Sequence, residues 1–303
     1  MKIQRKSVFK VYVYYGMETA ALAMAALGHA CWDNVLVWMV NNDPDASLIH
    51  MHWLRMVFMA LLLSIVSDDV AAPQQSTAWW LQFSLVGWTI PSCMYTICVM
   101  LTGYRIAISV QPFIPLLVAL RIRAPMTFRR TSSLTISFLG TLILWISASW
   151  QYKDGDLWSF WVSLICMFVL VLVQQQWFVM MHRLEGGHVR AVARGACIGA
   201  GIFFFVMIVW TPQHLQSAYM EHWNTWLFIL FASAVTAGCK FWALAVLSKH
   251  VSGDGMAIFE CVHPLATLCS DIVRGHDTFG WQDAAAIACF CVGWILYPKR
   301  IYS

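Results

Sequence analysis

The chain has 303 residues, of which 60% are hydrophobic and only 11% charged, with a net charge of +4. A soluble domain of this length cannot hide so much apolar surface, and soluble chains carry about twice that share of charge. The small positive balance is scattered over short loops, which argues against a nucleic-acid binder. The ten cysteines lie inside apolar runs and form no C-x-x-C pair. They suggest neither a disulfide framework nor a zinc site, and read as small hydrophobes.

At the N-terminus, Lys2, Arg5, Lys6 and Lys10 precede an apolar stretch from Val11 to Val40, interrupted by Glu18. That stretch is too long for a cleavable leader and reads as a retained first span. Crossing the hydrocarbon core takes roughly 20 apolar residues. Cutting the sequence at polar and turn-rich segments gives ten candidate spans: 14–38, 48–67, 78–101, 104–121, 131–150, 157–180, 191–210, 223–247, 254–273 and 280–298. The links between them are short, so no independent soluble domain is expected. With the N-terminus placed in the cytoplasm, the inside loops and tails gather Arg121, Arg123, Arg129, Arg130, Arg183, Arg190, Arg194, Lys249, Lys299 and Arg300 beside the N-terminal cluster. The outside loops hold only Arg105, Lys153 and Arg274. The positive-inside rule thus puts both termini in the cytoplasm.

The two halves resemble each other. Val99, Gly103 and Pro112 map without a gap onto Val251, Gly255 and Pro264, Leu116 onto Leu268, and Gly140 onto Gly293 with one residue inserted. With five spans in each half, residues 1–150 and 151–303 enter the membrane from opposite sides. Such an inverted repeat places a transporter's substrate site near the midplane between the halves. Pro112 and Pro264 fall mid-span, where each frees a backbone carbonyl. They read either as plain kinks or as hinges beside a water-lined cavity.

The stretch from His250 to Leu296 carries Ser252-Gly253-Asp254-Gly255, Pro264, Gly275, Gly280-Trp281-Gln282 and Gly293. It resembles the closing part of an EamA-type repeat, the unit of the drug/metabolite transporter superfamily. Arg105 to Gly140, with Pro112, Pro115 and Met126-Thr127, is similar to the same part of a first repeat. Leu54-Arg55-Met56 followed by Ala60-Leu61-Leu62-Leu63 is similar to that family's second span. The family pattern has a Gly-Glu pair after the fourth and ninth spans, where this chain reads Arg123-Ala124 and Gly275-His276. The resemblance implies ten helices, cytoplasmic termini, a central cavity and secondary transport of a small solute.

An ionisable side chain deep in a span costs roughly 2.5–3.5 kcal/mol on insertion scales, so each needs a partner or a wet cavity. Asp33 in span one and Arg55 in span two lie at similar depth, and read either as a structural ion pair or as an outer gate and substrate anchor. Glu260 and His263 sit three residues apart on one face of span nine, just before Pro264. Lys240 in span eight is placed to reach Glu260 or the glutamines of span six. That pair reads either as a proton-exchanging site or as a permanent tie between spans eight and nine. Of Gln174-Gln175-Gln176, Gln175 is the residue expected at the cavity. Trp88, Trp145 and Trp242 lie deep enough to line it or to pack, whereas Trp79, Trp80, Trp150, Trp158, Trp161, Trp223 and Trp226 lie near span ends and read as interfacial belts.

The fold class expected is therefore an all-α membrane protein of about ten transmembrane helices arranged as two inverted five-helix repeats. The function expected is alternating-access transport of a small polar or amphipathic metabolite, proton-coupled through Glu260, with Lys240, His263, Asp33, Arg55 and Gln175 around the site. The expected partners are a small-molecule substrate and the lipid bilayer, with a homodimer left open and no nucleic acid. No cofactor and no metal are expected. The rival readings are a channel, a non-transporting scaffold and, more remotely, an intramembrane enzyme. No H-E-x-x-H, G-x-S-x-G or Walker string occurs to support the last.

Overall fold

An apolar run in lipid has no water to bond its backbone, so each segment must satisfy its own N–H and C=O groups, which a helix does. The computed structural model describes residues 19–20, 23–28, 30–36, 48–67, 74–151, 156–184, 188–210, 223–247, 253–273 and 280–297. Among the described residues the architecture is all-α, with no strand. The expectations for Glu18, the Lys153 loop and both termini lie outside them. We denote helical residues 23–28 and 30–36 as α1. There follow α2 (Leu48–Ile65), α3 (Thr77–Thr102), α4 (Tyr104–Arg121), α5 (Phe128–Gln151), α6 (Leu157–His182), α7 (His188–Trp210), α8 (Trp223–Leu247), α9 (253–273) and α10 (Trp281–Leu296). Five of these, α3, α4, α6, α7 and α8, are long and apolar enough to cross a membrane, and α2, α9 and α10 contain shorter apolar helices.

Local chemistry sets the ends. Ser76 caps α3 by accepting from the Trp79 N–H at 3.2 Å, and Asp156 caps α6 by accepting from Trp158 and Ser159. Each satisfies donors that a first turn leaves open. Gly103, at φ +80°, turns the chain from α3 into α4. After α4, Arg123 adopts φ 53°, with Ala124 N–H donating to Ala119 O and Arg123 N–H to Leu120 O. That is a Schellman ending, usually closed by glycine. The helical cap survives here without the glycine of the family pattern.

Three helices are interrupted, each beside a proline. In α3 a π turn spans Leu85–Thr89, with the Ile90 N–H reaching back to Leu85 O just before Pro91. In α4, Pro112 has no N–H for the Ile108 carbonyl, which instead accepts from Gln111 at 3.2 Å. In α9, a 3₁₀ turn over Ile258–Cys261 leads into Val262 and Pro264. A missing proline N–H forces such local rewinding, which is tolerated where protein or a cavity surrounds the freed groups.

Two apolar clusters make up the interior. One gathers Met56, Leu63, Trp88, Val118, Phe178, Ala237 and Phe259. The other gathers Trp32, Leu36, Tyr95, Leu144, Leu170, Leu268 and Phe290. Outside them, Phe168, Phe205 and Phe228 stand about two-thirds or more exposed, at 67%, 68% and 74%. Apolar surface on that scale belongs against lipid rather than water.

Small residues let the helices approach. Gly140 of α5 meets Cys289 and Phe290 of α10, while Gly293 of α10 lies against Ser133 and Ser137 of α5. The Ser133 hydroxyl donates to the Gly293 carbonyl. This is the small-residue packing of membrane helices. Gly195 of α7 is tighter still, because a Cβ there would lie 2.3 Å from the Trp88 ring and 2.9 Å from Phe83. Neither ring can yield by rotating a flexible end. Gly195→Ala should therefore cost about 1–3 kcal/mol, read as a lowered midpoint of thermal unfolding in detergent. An unchanged midpoint would show that α7 can move away from Trp88.

Candidate functional site

The interrupted helices converge on one cavity, at the level where the two apolar clusters meet. Gly28 and Trp32 of α1, Arg55 and Met56 of α2, Gly87, Trp88 and Tyr95 of α3, Gln111 of α4, Leu170 and Gln174 of α6, Lys240 and Phe241 of α8, and His263 of α9 line it. Its volume is about 70 Å³, room for roughly five water molecules. The cavity draws on α1, α2, α3, α4, α6, α8 and α9.

Beside it stand two buried charge-bearing groups. The Lys240 ammonium meets both oxygens of Glu260, at 3.0 and 3.3 Å. It ties α8 to the 3₁₀ turn of α9, and Glu260 is only 2% exposed. The second group centres on Asp33, 3% exposed. Tyr95 donates its hydroxyl to Asp33 Oδ1 at 2.5 Å. His263 Nε2 lies 2.9 Å from Asp33 Oδ2, and the Thr267 hydroxyl donates to that same oxygen. Thr267 lies 3.1 Å from the His263 carbonyl as well. One carboxylate thus gathers partners from α3 and from two turns of α9, which satisfies its lone pairs without water.

The expected Asp33–Arg55 pair does not form. Arg55 instead sits over the Trp32 indole, its Cζ 3.7 Å from the ring centroid. Equal depth in two helices sets the level of two side chains but not the direction each faces. Asp33 faces α9, and Arg55 faces the ring one residue before it. Gln175 is buried, but it is its neighbour Gln174 that lines the cavity. Consecutive helical positions differ by about 100° in direction, so only one of the two can face inward. Pro112 and Pro264 both sit at helix interruptions next to cavity residues, Gln111 and His263. Trp88 walls the cavity against Phe241 and Trp177, with ring centroids 5.6 and 5.9 Å away. Trp242 lines a separate apolar groove with Leu62 and Cys239, and Trp145 packs near Phe160.

Sequence reasoning missed Tyr95, Thr267, Trp32 and Gln111. Thr267 sits one helical turn beyond His263, and Gln111 immediately precedes Pro112, so both carried a positional signal. Elsewhere, Arg105 is not a free outside-loop cation: it pairs with Asp283 at 3.4 Å, and Asp283 caps α10 by accepting from the Gly280 N–H.

No protein-family model matches the chain, and no curated protein matches it. Among proteins of known structure, 23 chains match. One of them, a protein known by its crystal structure, aligns over 92% of this chain and 97% of its own length, with a TM-score of 0.66 at 13% identity. That coverage shows a shared fold over nearly the whole of both chains. The chain is an all-α protein with helices apolar and long enough to span a membrane, built on an architecture already seen in a crystal.

Proposed function

We propose that this chain is a secondary transporter that carries a small polar or amphipathic metabolite across its membrane by alternating access. In this reading ten spans form two inverted five-helix repeats of the drug/metabolite transporter type, with both termini in the cytoplasm. The observation that carries it is the convergence of three proline-interrupted helices on one polar-lined cavity between the two apolar clusters. Broken helices at a central site are the usual construction of secondary transporters.

Helix pairing supports the repeat. If α1–α5 correspond to α6–α10, then α2 packs on its counterpart α7, α4 on α9, and α5 on α10. The contact of α2 with α8 is matched by that of α7 with α3, and α4 on α6 is matched by α9 on α1 through His263 and Asp33. Exchanging the halves maps the first three contacts onto themselves and the others onto one another in pairs. The matched prolines Pro112 and Pro264 both fall at interruptions, and the matched glycines Gly140 and Gly293 both fall in the α5–α10 contact. Proton coupling belongs to the same reading. A proton taken up by Glu260 would release its charge from Lys240, and its departure would restore the pair.

The test is flux. Proteoliposomes loaded with a mixture of small metabolites should lose one solute class faster than protein-free vesicles. Supplying that solute outside should accelerate its exit, and an imposed pH gradient should bias it. Loss that never saturates and ignores outside solute would indicate a channel. No selective loss of any solute would leave a scaffold.

A further inference from the structure

We propose that the central cavity is a binding site for a small organic carboxylate, anchored by Arg55, with its carbon body against Trp88 and Met56 and a hydroxyl or ammonium donor turned to Gln111. This names the substrate class of the cavity and rests on the carrier reading for transport, though not for binding.

The argument begins with charge. Among the described residues Arg55, Lys240 and His263 line the cavity, and no aspartate or glutamate does. Asp33 and Glu260 lie beside it and are each held by partners within the protein. Both oxygens of Glu260 face Lys240. Asp33 accepts from Tyr95 on one oxygen and meets His263 and Thr267 with the other. Lys240 is therefore answered within the protein, and Arg55 is the cation left to act on a solute. Among the described residues its guanidinium makes no hydrogen bond and no ion pair, and its Nε is buried without a partner. Its Cζ lies 3.7 Å from the Trp32 ring centroid. A guanidinium stacked on a ring keeps its in-plane N–H fork for other partners, and that fork matches a carboxylate in bidentate geometry. A half-buried cation with unused donors is costly by itself and favourable once an anion meets it.

The remaining lining fixes the rest of the ligand. Gln111 is 2% exposed, and its amide oxygen has no partner. The oxygen of Gln174, across the cavity, has none either. Acceptors of this kind call for a donor on the solute. Met56, Trp88, Leu170 and Phe241 supply apolar walls, which suit a carbon chain better than inorganic phosphate. A volume of about 70 Å³ confines that chain to a few atoms. Cations face the guanidinium of Arg55 and are disfavoured.

The test uses the full chain in detergent and follows thermal unfolding in the presence of lactate, alanine, propanoate, inorganic phosphate or tetramethylammonium. Lactate or alanine should raise the unfolding temperature more than propanoate, and phosphate and tetramethylammonium should leave it unchanged. Arg55→Met should weaken that binding by about tenfold or more, while its own unfolding temperature without ligand stays at or above that of the wild type, since an unpaired buried charge is gone. Gln111→Glu, which places an acid in the lining, should abolish carboxylate binding by repulsion. Stabilisation by phosphate or tetramethylammonium but by none of the carboxylates would overturn the assignment. So would carboxylate binding that survives both substitutions. Carboxylate binding without flux in vesicles would keep the anion site and defeat the carrier reading. Saturable flux of cations without carboxylate binding would do the reverse.

Discussion

Replacing Lys240 with methionine should cost the fold about 3–5 kcal/mol, and adding Glu260→Gln should recover most of that loss. Removing one member of a buried ion pair leaves the other charge in a dry interior. Replacing both removes the attraction and the desolvation cost together. Here the pair is buried on both sides, with Lys240 9% and Glu260 2% exposed, and its contacts at 3.0 and 3.3 Å use both carboxylate oxygens. The measurement is a double-mutant cycle on thermal unfolding in detergent, with the two single variants and the double variant compared to wild type. Singles that each cost under about 1 kcal/mol would place the pair with solvent-screened bridges, and so in contact with water in the folded state.

The same cycle separates the two roles open to the pair. A permanent tie between α8 and α9 requires only that the two helices stay together, so a stable double variant would transport as the wild type does. A proton-exchanging role requires the carboxyl of Glu260 itself. The stable double variant would then still move solute down its own gradient and would no longer follow an imposed pH gradient. Stability is matched between the two proteins being compared, so the difference in coupling cannot come from misfolding.

How much of this was readable beforehand depends on what each residue costs in an apolar run. Lys240, Glu260, His263 and Asp33 stand out from the sequence because charge in a span is expensive, and the structure brings them to one place. The Lys240–Glu260 contact was also legible, since depth and adjacency of the two spans both favour it. Tyr95 and Trp32 were hidden: a hydroxyl or an indole costs little among apolar neighbours, so each looks like any other packing residue. Azimuth was lost for a related reason. Spans that are apolar all round carry no stripe to say which face is inward, so Gln174 could not be told from Gln175, nor could Arg55 be aimed at Trp32 rather than Asp33. Helix positions were legible for the opposite reason, because apolar length is a one-dimensional signal. The π turn before Pro91 was not.

Asp33→Ala should be the most damaging substitution in the second group, at roughly 3–5 kcal/mol, because it removes the acceptor common to Tyr95, His263 and Thr267. Tyr95→Phe and Thr267→Val each delete one donor and leave the carboxylate its other partners. Each should cost only about 0.5–1.5 kcal/mol, in line with the modest worth of single hydrogen bonds between membrane helices. Asp33→Asn keeps the shape and one carbonyl oxygen for Tyr95, while His263 can turn its tautomer to accept from the amide. It should fall near the single-donor variants. The series is read by thermal unfolding, and equal costs for Ala and Asn would show that the negative charge, rather than the hydrogen-bonding shape, holds the group together. Flux then decides what the group is for. The network joins α1 and α3 to α9 immediately after the interruption at Glu260 and Pro264, where a hinge would have to release it. If it is a gate, Asp33→Asn and Tyr95→Phe will change transport rates several-fold while unfolding temperatures barely move. If it only holds the helices together, rate and unfolding temperature will fall in step across the series, with Asp33→Ala lowest on both scales.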